Sequence, residues 1–395
     1  MYARSLRGTD TGFAHGQSGR LTCADVQQVS LTSLVFFVLS LLSVVLVLTG
    51  CGGGAGPNSG PSSNQPPPGD SLLSVTVSGN IAGLNEAGLK LTVGSTELAV
   101  DPAATKFTIQ ATTNMTIYTV RISNQPAGQV CVLANNEGYV RGPARDVEVV
   151  CARSSATPLS GTFRIDGQRN FVTFFPDGTF LAGSHLSNIA CGENDGNGVE
   201  HGIYDWNSSS SMFSVTAVVM DTNGTCGLAN GVGNNVGVSG TLERSGSTAI
   251  LHAADGTSRV LVAVEDISGS IQGSWNAHID FDGVIVFLPD STYFQMRSHQ
   301  RFEESGEPTG SGIEDGCYRA SVVGTTSPTT AWGNLTVDLS RACVVASGLR
   351  AIDTNGYGGL SVLTSAVAYS INEPNLTYGP GFPNTFAAFR VVTTE

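Results

Sequence analysis

The sequence predicts an all-β protein, and three observations carry that expectation. Glycine is abundant, 49 of 395 residues, while charged side chains make up only 13%. Short runs of alternating apolar and polar residues recur, separated by Gly, Asn and Pro, which is how strands divided by turns read. Residues 157–395 then repeat much of their own pattern. Together these predict a small β-sandwich followed by two tandem antiparallel β-barrel or sandwich repeats.

Taken in order, the chain first presents an uncharged apolar run, Leu31 to Leu48. It closes on Thr49-Gly50-Cys51 and is followed at once by Gly52-Gly53-Gly54. A run of this kind closing on small residues reads as an export signal over residues 1–50. Leu48-Thr49-Gly50-Cys51 resembles the bacterial lipobox. That resemblance implies cleavage before Cys51, a diacylglycerol on its sulfur and an acyl chain such as palmitate on its new amine. Gly52 after the lipidated Cys implies sorting to the outer membrane. An uncleaved membrane helix is the alternative, because the run is long enough to span a bilayer. Residues 51–70 are Gly, Pro and Ser rich with little to bury, so they are expected to form a disordered tether.

Composition narrows the partners. The net charge is -13, and losing residues 1–50 removes three Arg and two Asp, leaving -14. With no basic patch to neutralise phosphates, nucleic acid is not an expected partner. Of eight cysteines, Cys23 leaves with the signal and Cys51 takes the lipid. Six remain, an even number suited to an oxidising compartment. Sequence order suggests Cys131–Cys151, Cys191–Cys226 and Cys317–Cys343, one pair per module, among the 15 connectivities that six cysteines allow. No Cys-x-x-Cys and no Cys–His pair at zinc spacing is present, so no metal is expected.

Residues 71–152 hold short alternating runs at Leu72–Val77, Leu89–Val93, Lys106–Gln110, Ile117–Ser123, Gln129–Leu133 and Val147–Val150, the spacing of a small sandwich. The stretches Val77–Leu84, Gly88–Leu91, Gln125–Cys131 and Asp146–Cys151 resemble a family of β-sandwich repeats of bacterial lipoproteins. That resemblance implies a spacer or display module without catalytic residues.

The repeat places Gly161-Thr162-Phe163, Phe174-Phe175-Pro176-Asp177-Gly178-Thr179-Phe180, Ser184-His185 and Gly198–Tyr204 against a second set. The second set is Gly273-Ser274-Trp275, Phe287-Leu288-Pro289-Asp290-Ser291-Thr292-Tyr293, Ser298-His299 and Gly312–Tyr318. Each copy then carries Asp-Thr-Asn-Gly, at Asp221–Gly224 and Asp353–Gly356. The later halves are out of register, which implies divergence or insertions. Pro-Asp-Gly and Pro-Asp-Ser predict hairpin turns, because Pro presets φ and Asp bonds its own backbone. Strands are expected at Asn170–Phe174, Thr179–Ala182, Val284–Phe287 and Thr292–Met296. The series Gly-aromatic, Phe-x-Pro-Asp, Gly-x-Tyr resembles the opening hairpins of bacterial lipocalin-like barrels. Two such repeats, 157–268 and 269–395, are expected, with one larger barrel as the alternative.

Candidate site residues are few. His185 and His299 recur in step, as do Glu200 and Glu314. They could form one acid–His site per copy, or a duplicated structural hydrogen bond. Glu193–Gly198 imitates the start of a calcium loop, but its twelfth place is Tyr204, so a solvated loop is the default. Asp280–Gly283 reads as a tight turn. Trp206, Trp275, Trp332, Phe174 and Phe287 are expected in the core or lining a lipocalin-like cavity. No Gly-x-Ser-x-Gly elbow, phosphate loop or dinucleotide fingerprint is present. The expectation is a non-enzymatic envelope lipoprotein without cofactor, held to the membrane by its lipid, with a binding or structural role toward an envelope protein. The alternative is a carrier of a small apolar ligand.

Overall fold

The structure is a computed structural model. It describes residues 72–113, 116–142, 146–153, 159–186, 196–276, 283–298, 301–302, 308–309, 311–327, 329–338, 343–345, 349, 351–354, 367–379 and 386–391. All of these fall within one compact unit, Pro68–Glu395. The signal run, the tether and Cys51 lie outside the described residues. No described helix is long and apolar enough to cross a membrane.

The fold is all-β. The first module packs a four-stranded sheet against a larger one. In the first sheet, Leu73–Ala82 pairs antiparallel with Lys106–Thr113 and parallel with Asp146–Arg153, which pairs with Gln129–Ala134. Alternation decides the faces. Val75, Val77, Phe107, Ile109, Val147 and Val149 turn inward to meet Leu91, Val93 and Val120 of the second sheet. Cys131 and Cys151 sit directly opposite across the ladder and form a disulfide.

The repeats are two closed antiparallel barrels, each a meander. In the first, a nine-stranded sheet, eight strands from Gly161–Ile165 to Ser258–Ala263 form the ring, the short Gly233–Asn234 adds onto Met212–Asp221, and the last strand pairs back onto the first. In the second, also nine-stranded among the described residues, eight strands from Gly273–Asn276 to Phe386–Arg390 close in the same way and the short Ile352–Asp353 adds onto Gly312–Ser327. Eight strands leave a lumen about wide enough for side chains. In the first barrel it is filled by rings: Phe174 meets Tyr204 at 4.9 Å and Phe213 at 5.7 Å. In the second, Phe287 meets Tyr318 at 4.9 Å. Closure of the second barrel is braced by Arg390 of its last strand. The guanidinium lies 3.7 Å from the Trp275 ring centroid and donates to the carbonyls of Gln272 and Ser270.

The duplicated motifs form duplicated structures. Asp177 Oδ1 accepts from the backbone N–H and hydroxyl of Thr179 at 3.0 and 2.7 Å, and Asp290 does the same for Thr292 at 3.0 and 2.6 Å. The Asp-Thr pairs that open the two Asp-Thr-Asn-Gly motifs also take matching places. Thr222 Oγ1 accepts from the N–H of Val199 and donates to its carbonyl, and Thr354 Oγ1 repeats both bonds on Ile313. The shift in register has a visible cause. The first copy reaches its Asp-Thr pair along one strand, Met212–Asp221, whereas in the second the pair belongs to a separate short strand, Ile352–Asp353, 14 positions beyond the end of Thr330–Asp338. Cys343 lies between those two strands in sequence and is bonded to Cys317.

Four barrel strands are buried on both faces: Asn170–Phe174, Thr179–Ser184, Gly283–Phe287 and Thr292–Arg297. Their inward residues fill the lumens. Their outward residues Phe171, Leu181, Val286, Phe294 and Met296 join one apolar layer with Val132, Ala134 and Val150 of the sandwich. Phe171 and Phe294 stack across it at 4.8 Å. A Cβ on Gly183 would sit 2.8 Å from that of Met296, so the close approach of the barrels needs glycine there. A further tie comes from the second barrel, whose segments Arg301–Phe302 and Pro308–Thr309 extend the larger sheet of the sandwich at Glu137. One aromatic expectation is corrected. Trp275, Phe174 and Phe287 are buried and Trp206 is half-buried, but Trp332 is 40% exposed. Its strand alternates, and Ala331, Gly333 and Leu335 take the buried face.

Candidate functional site

The most concentrated chemistry lies between the barrels. Arg169, just before the strand Asn170–Phe174, is fully buried. It donates from Nε to Asp315 Oδ2 at 3.1 Å and from Nη2 to Asp315 Oδ1. It also donates from Nη1 to Thr292 Oγ1 at 3.0 Å and from Nη2 to the carbonyl of Tyr293 at 2.9 Å. Its guanidinium stands 5.6 Å from the ring centroids of both Phe171 and Phe294. The cation thus belongs to one barrel and every hydrogen-bond acceptor to the other. His185, also buried, sets its Nδ1 2.7 Å from Asp315 Oδ2. A carboxylate at Nδ1 orients an imidazole as in a catalytic dyad. Here the same carboxylate is already neutralised by a bidentate arginine, which is how a structural ion pair is built.

The recurrence of acid and His in sequence therefore does not become an acid–His pair in each copy. His185 bonds an acid of the other copy. The hairpin ladders correct the alignment as well. Asn170 pairs with Ser184 and Gly283 with Arg297, so the structural counterpart of His185 is Ser298, one place before His299. His299 lies outside the described residues. So do Cys191, residues 193–195 of the calcium-like loop, and residues 280–282. Cys226 belongs to a short 3-10 turn, Gly224–Cys226, and its proposed bridge to Cys191 is not described.

Glu200 and Glu314 do take equivalent places, opposite Asp221 and Asp353 in their ladders. Both are fully buried and turn toward their lumens. Glu200 accepts the N–H of Leu228 at 2.7 Å and of Ala229 at 3.2 Å, holding that loop against the barrel core. Burial pushes its carboxyl up to about 8, opposed by those two N–H groups and reinforced by Asp221. Glu314 Oε1 accepts the hydroxyl of Tyr293 instead. Burial first, then the Glu314 charge, drives that phenol well above its ordinary value. Among the described residues no group of three or more His, Cys, Asp or Glu could hold a metal ion.

A cavity of about 520 Å³ lies where the three modules meet. The sandwich contributes Arg121 and Leu133, the first barrel Phe175, Leu181 and His201, and the second Ser298. Arg169, Asp315 and this cavity were missed in the sequence. Arg169 offered one weak signal, a cation abutting the apolar run Phe171–Phe174.

The chain matches no protein-family model and no curated protein sequence.

Proposed function

We propose that this protein is an exported, lipid-anchored envelope protein with a binding or scaffolding role and no reaction of its own. The observation that carries the reading is Leu48-Thr49-Gly50-Cys51, followed by a Gly/Pro/Ser tether and then a body of β-modules with cysteines bonded in sequence order. Two such bonds suit an oxidising compartment outside the cytoplasm. On this reading Cys191 and Cys226 form the third bridge, and the outer membrane is the destination. The fused modules favour a rigid platform held off a membrane surface. The test expresses the full chain in a bacterium that processes lipoproteins and measures the mass of the mature N-terminal peptide. A diacylglyceryl, N-acylated Cys51 is expected, and Cys51→Ala should lose both lipid and membrane fractionation. A parent N-terminal peptide that carries no lipid mass, or a Cys51→Ala product still held in the membrane, refutes the anchor.

A carrier role is favoured by one feature, the cavity at the junction of the modules. The packed rings of both lumens argue for that cavity, rather than a barrel interior, as the ligand's seat.

A further inference from the structure

We propose that the junction cavity binds a small organic acid with an apolar body, its carboxylate held by Arg121. The inference rests on the binding reading above and adds the chemical class. Sites for small molecules favour domain junctions and run to roughly 300–1,000 Å³. This one, at about 520 Å³, lies at such a junction.

Its walls divide into two kinds. Leu181 is buried, and Leu133 and Phe175 are half-buried, so together they offer hydrocarbon. Most polar groups of the wall are already engaged. The Gln125 amide bonds both the N–H and the carbonyl of Cys131, at 2.8 and 3.0 Å. Asn136 Nδ2 donates to the carbonyl of Val120 at 3.2 Å. Asp177 Oδ1 is taken up by its own turn at Thr179.

Arg121 differs from these. It is an exposed residue of the wall; its backbone carbonyl accepts from Thr92, and no described residue pairs with its guanidinium. That is notable in a chain with 32 acidic and 19 basic residues. A guanidinium presents a planar fork that matches a carboxylate bidentately. An unpaired fork beside an apolar wall therefore selects an anion carrying hydrocarbon, such as an aromatic or medium-chain acid. A bare inorganic anion would leave the wall uncovered. A neutral apolar molecule would leave the fork unused.

The test is calorimetric titration of the full chain in lipid nanodiscs with 2-naphthoate, 2-naphthalenemethanol and 2-naphthylmethylamine, with empty nanodiscs as the blank. The acid should bind up to about fivefold tighter than its neutral and cationic twins, the worth of one ion pair at an exposed guanidinium. Arg121→Ala should abolish that preference while leaving the alcohol unchanged. Leu133→Trp, which fills the wall from a half-buried position, should weaken all three, with near-UV circular dichroism confirming the fold. Equal binding of the three probes, lost in Leu133→Trp, overturns the acid class and leaves the binding reading standing. No binding of any probe overturns both.

Discussion

The two barrels should be locked by a single buried ion pair, and this can be measured. Arg169 is fully buried and spends four hydrogen bonds on the other barrel, two of them on Asp315. Replacing Asp315 by Ala removes the counter-ion and leaves a cation with one hydroxyl and one carbonyl for company. Breaking a buried pair from one side costs roughly 3–5 kcal/mol, because the surviving charge has been taken out of water and is no longer compensated. Arg169→Met alone should cost somewhat less, since Asp315 keeps His185 at 2.7 Å. The double variant Arg169→Met/Asp315→Ala, which removes both charges together, should recover most of that loss. The cycle then yields a coupling of several kcal/mol. Equilibrium urea unfolding followed by tryptophan fluorescence supplies the free energies. Trp206 reports the first barrel, and Trp275 and Trp332 the second. If Asp315→Ala costs less than about 1 kcal/mol and the cycle shows no coupling, the pair does not hold the barrels together and the argument fails.

Two further outcomes follow from the interior. Because burial raises the Glu200 carboxyl to about 8, the native state keeps a proton that the unfolded chain, titrating near 4.5, has already lost. Glu200's contribution to stability should therefore be fully present below about pH 4.5, fall as pH rises toward 8 and level off beyond it. Glu200→Gln should flatten that slope in urea midpoints compared at pH 5 and 8.5. The second concerns the threonine locks. Gly198 and Gly312 hold φ of +151° and +135°, and a Cβ on either would fall 2.5–2.7 Å from the carbonyl oxygen of Thr222 or Thr354. Alanine at either should cost about 1–3 kcal/mol or more in thermal melts. Gly246→Ala, with φ +58° and open space around it, should cost only about 1–2 kcal/mol. Equal losses at all three glycines would remove the lock from the explanation.

Much of the fold was legible because its signals are local. The runs Asn170–Phe174 and Thr292–Met296 alternate or stay apolar within a few residues, and the strands lie there. Asp177 and Asp290 cap turns two residues away, so their role needs no distant partner. The duplicated Asp-Thr-Asn-Gly was visible as a motif, although its bond to Val199 and Ile313 was not. The site was far less legible. His185 was singled out for recurring with His299, yet the hairpin ladder gives it Ser298 as a counterpart. Trp332 reads in the sequence as core or cavity-lining, and strand phase puts it on the outside.

The chain by itself thus determined where the opening hairpins of each repeat lie, because alternation and turn capping answer to neighbours a few residues away. It also determined that the second half is a duplication. Only the tertiary structure decided that both faces of the opening strands would be buried, that Asp315 would meet Arg169 across 146 residues, and that three modules would enclose a cavity. Those outcomes depend on how closed barrels dock. Docking is set by the shape of surfaces assembled from many strands at once, and no stretch of sequence carries that shape alone.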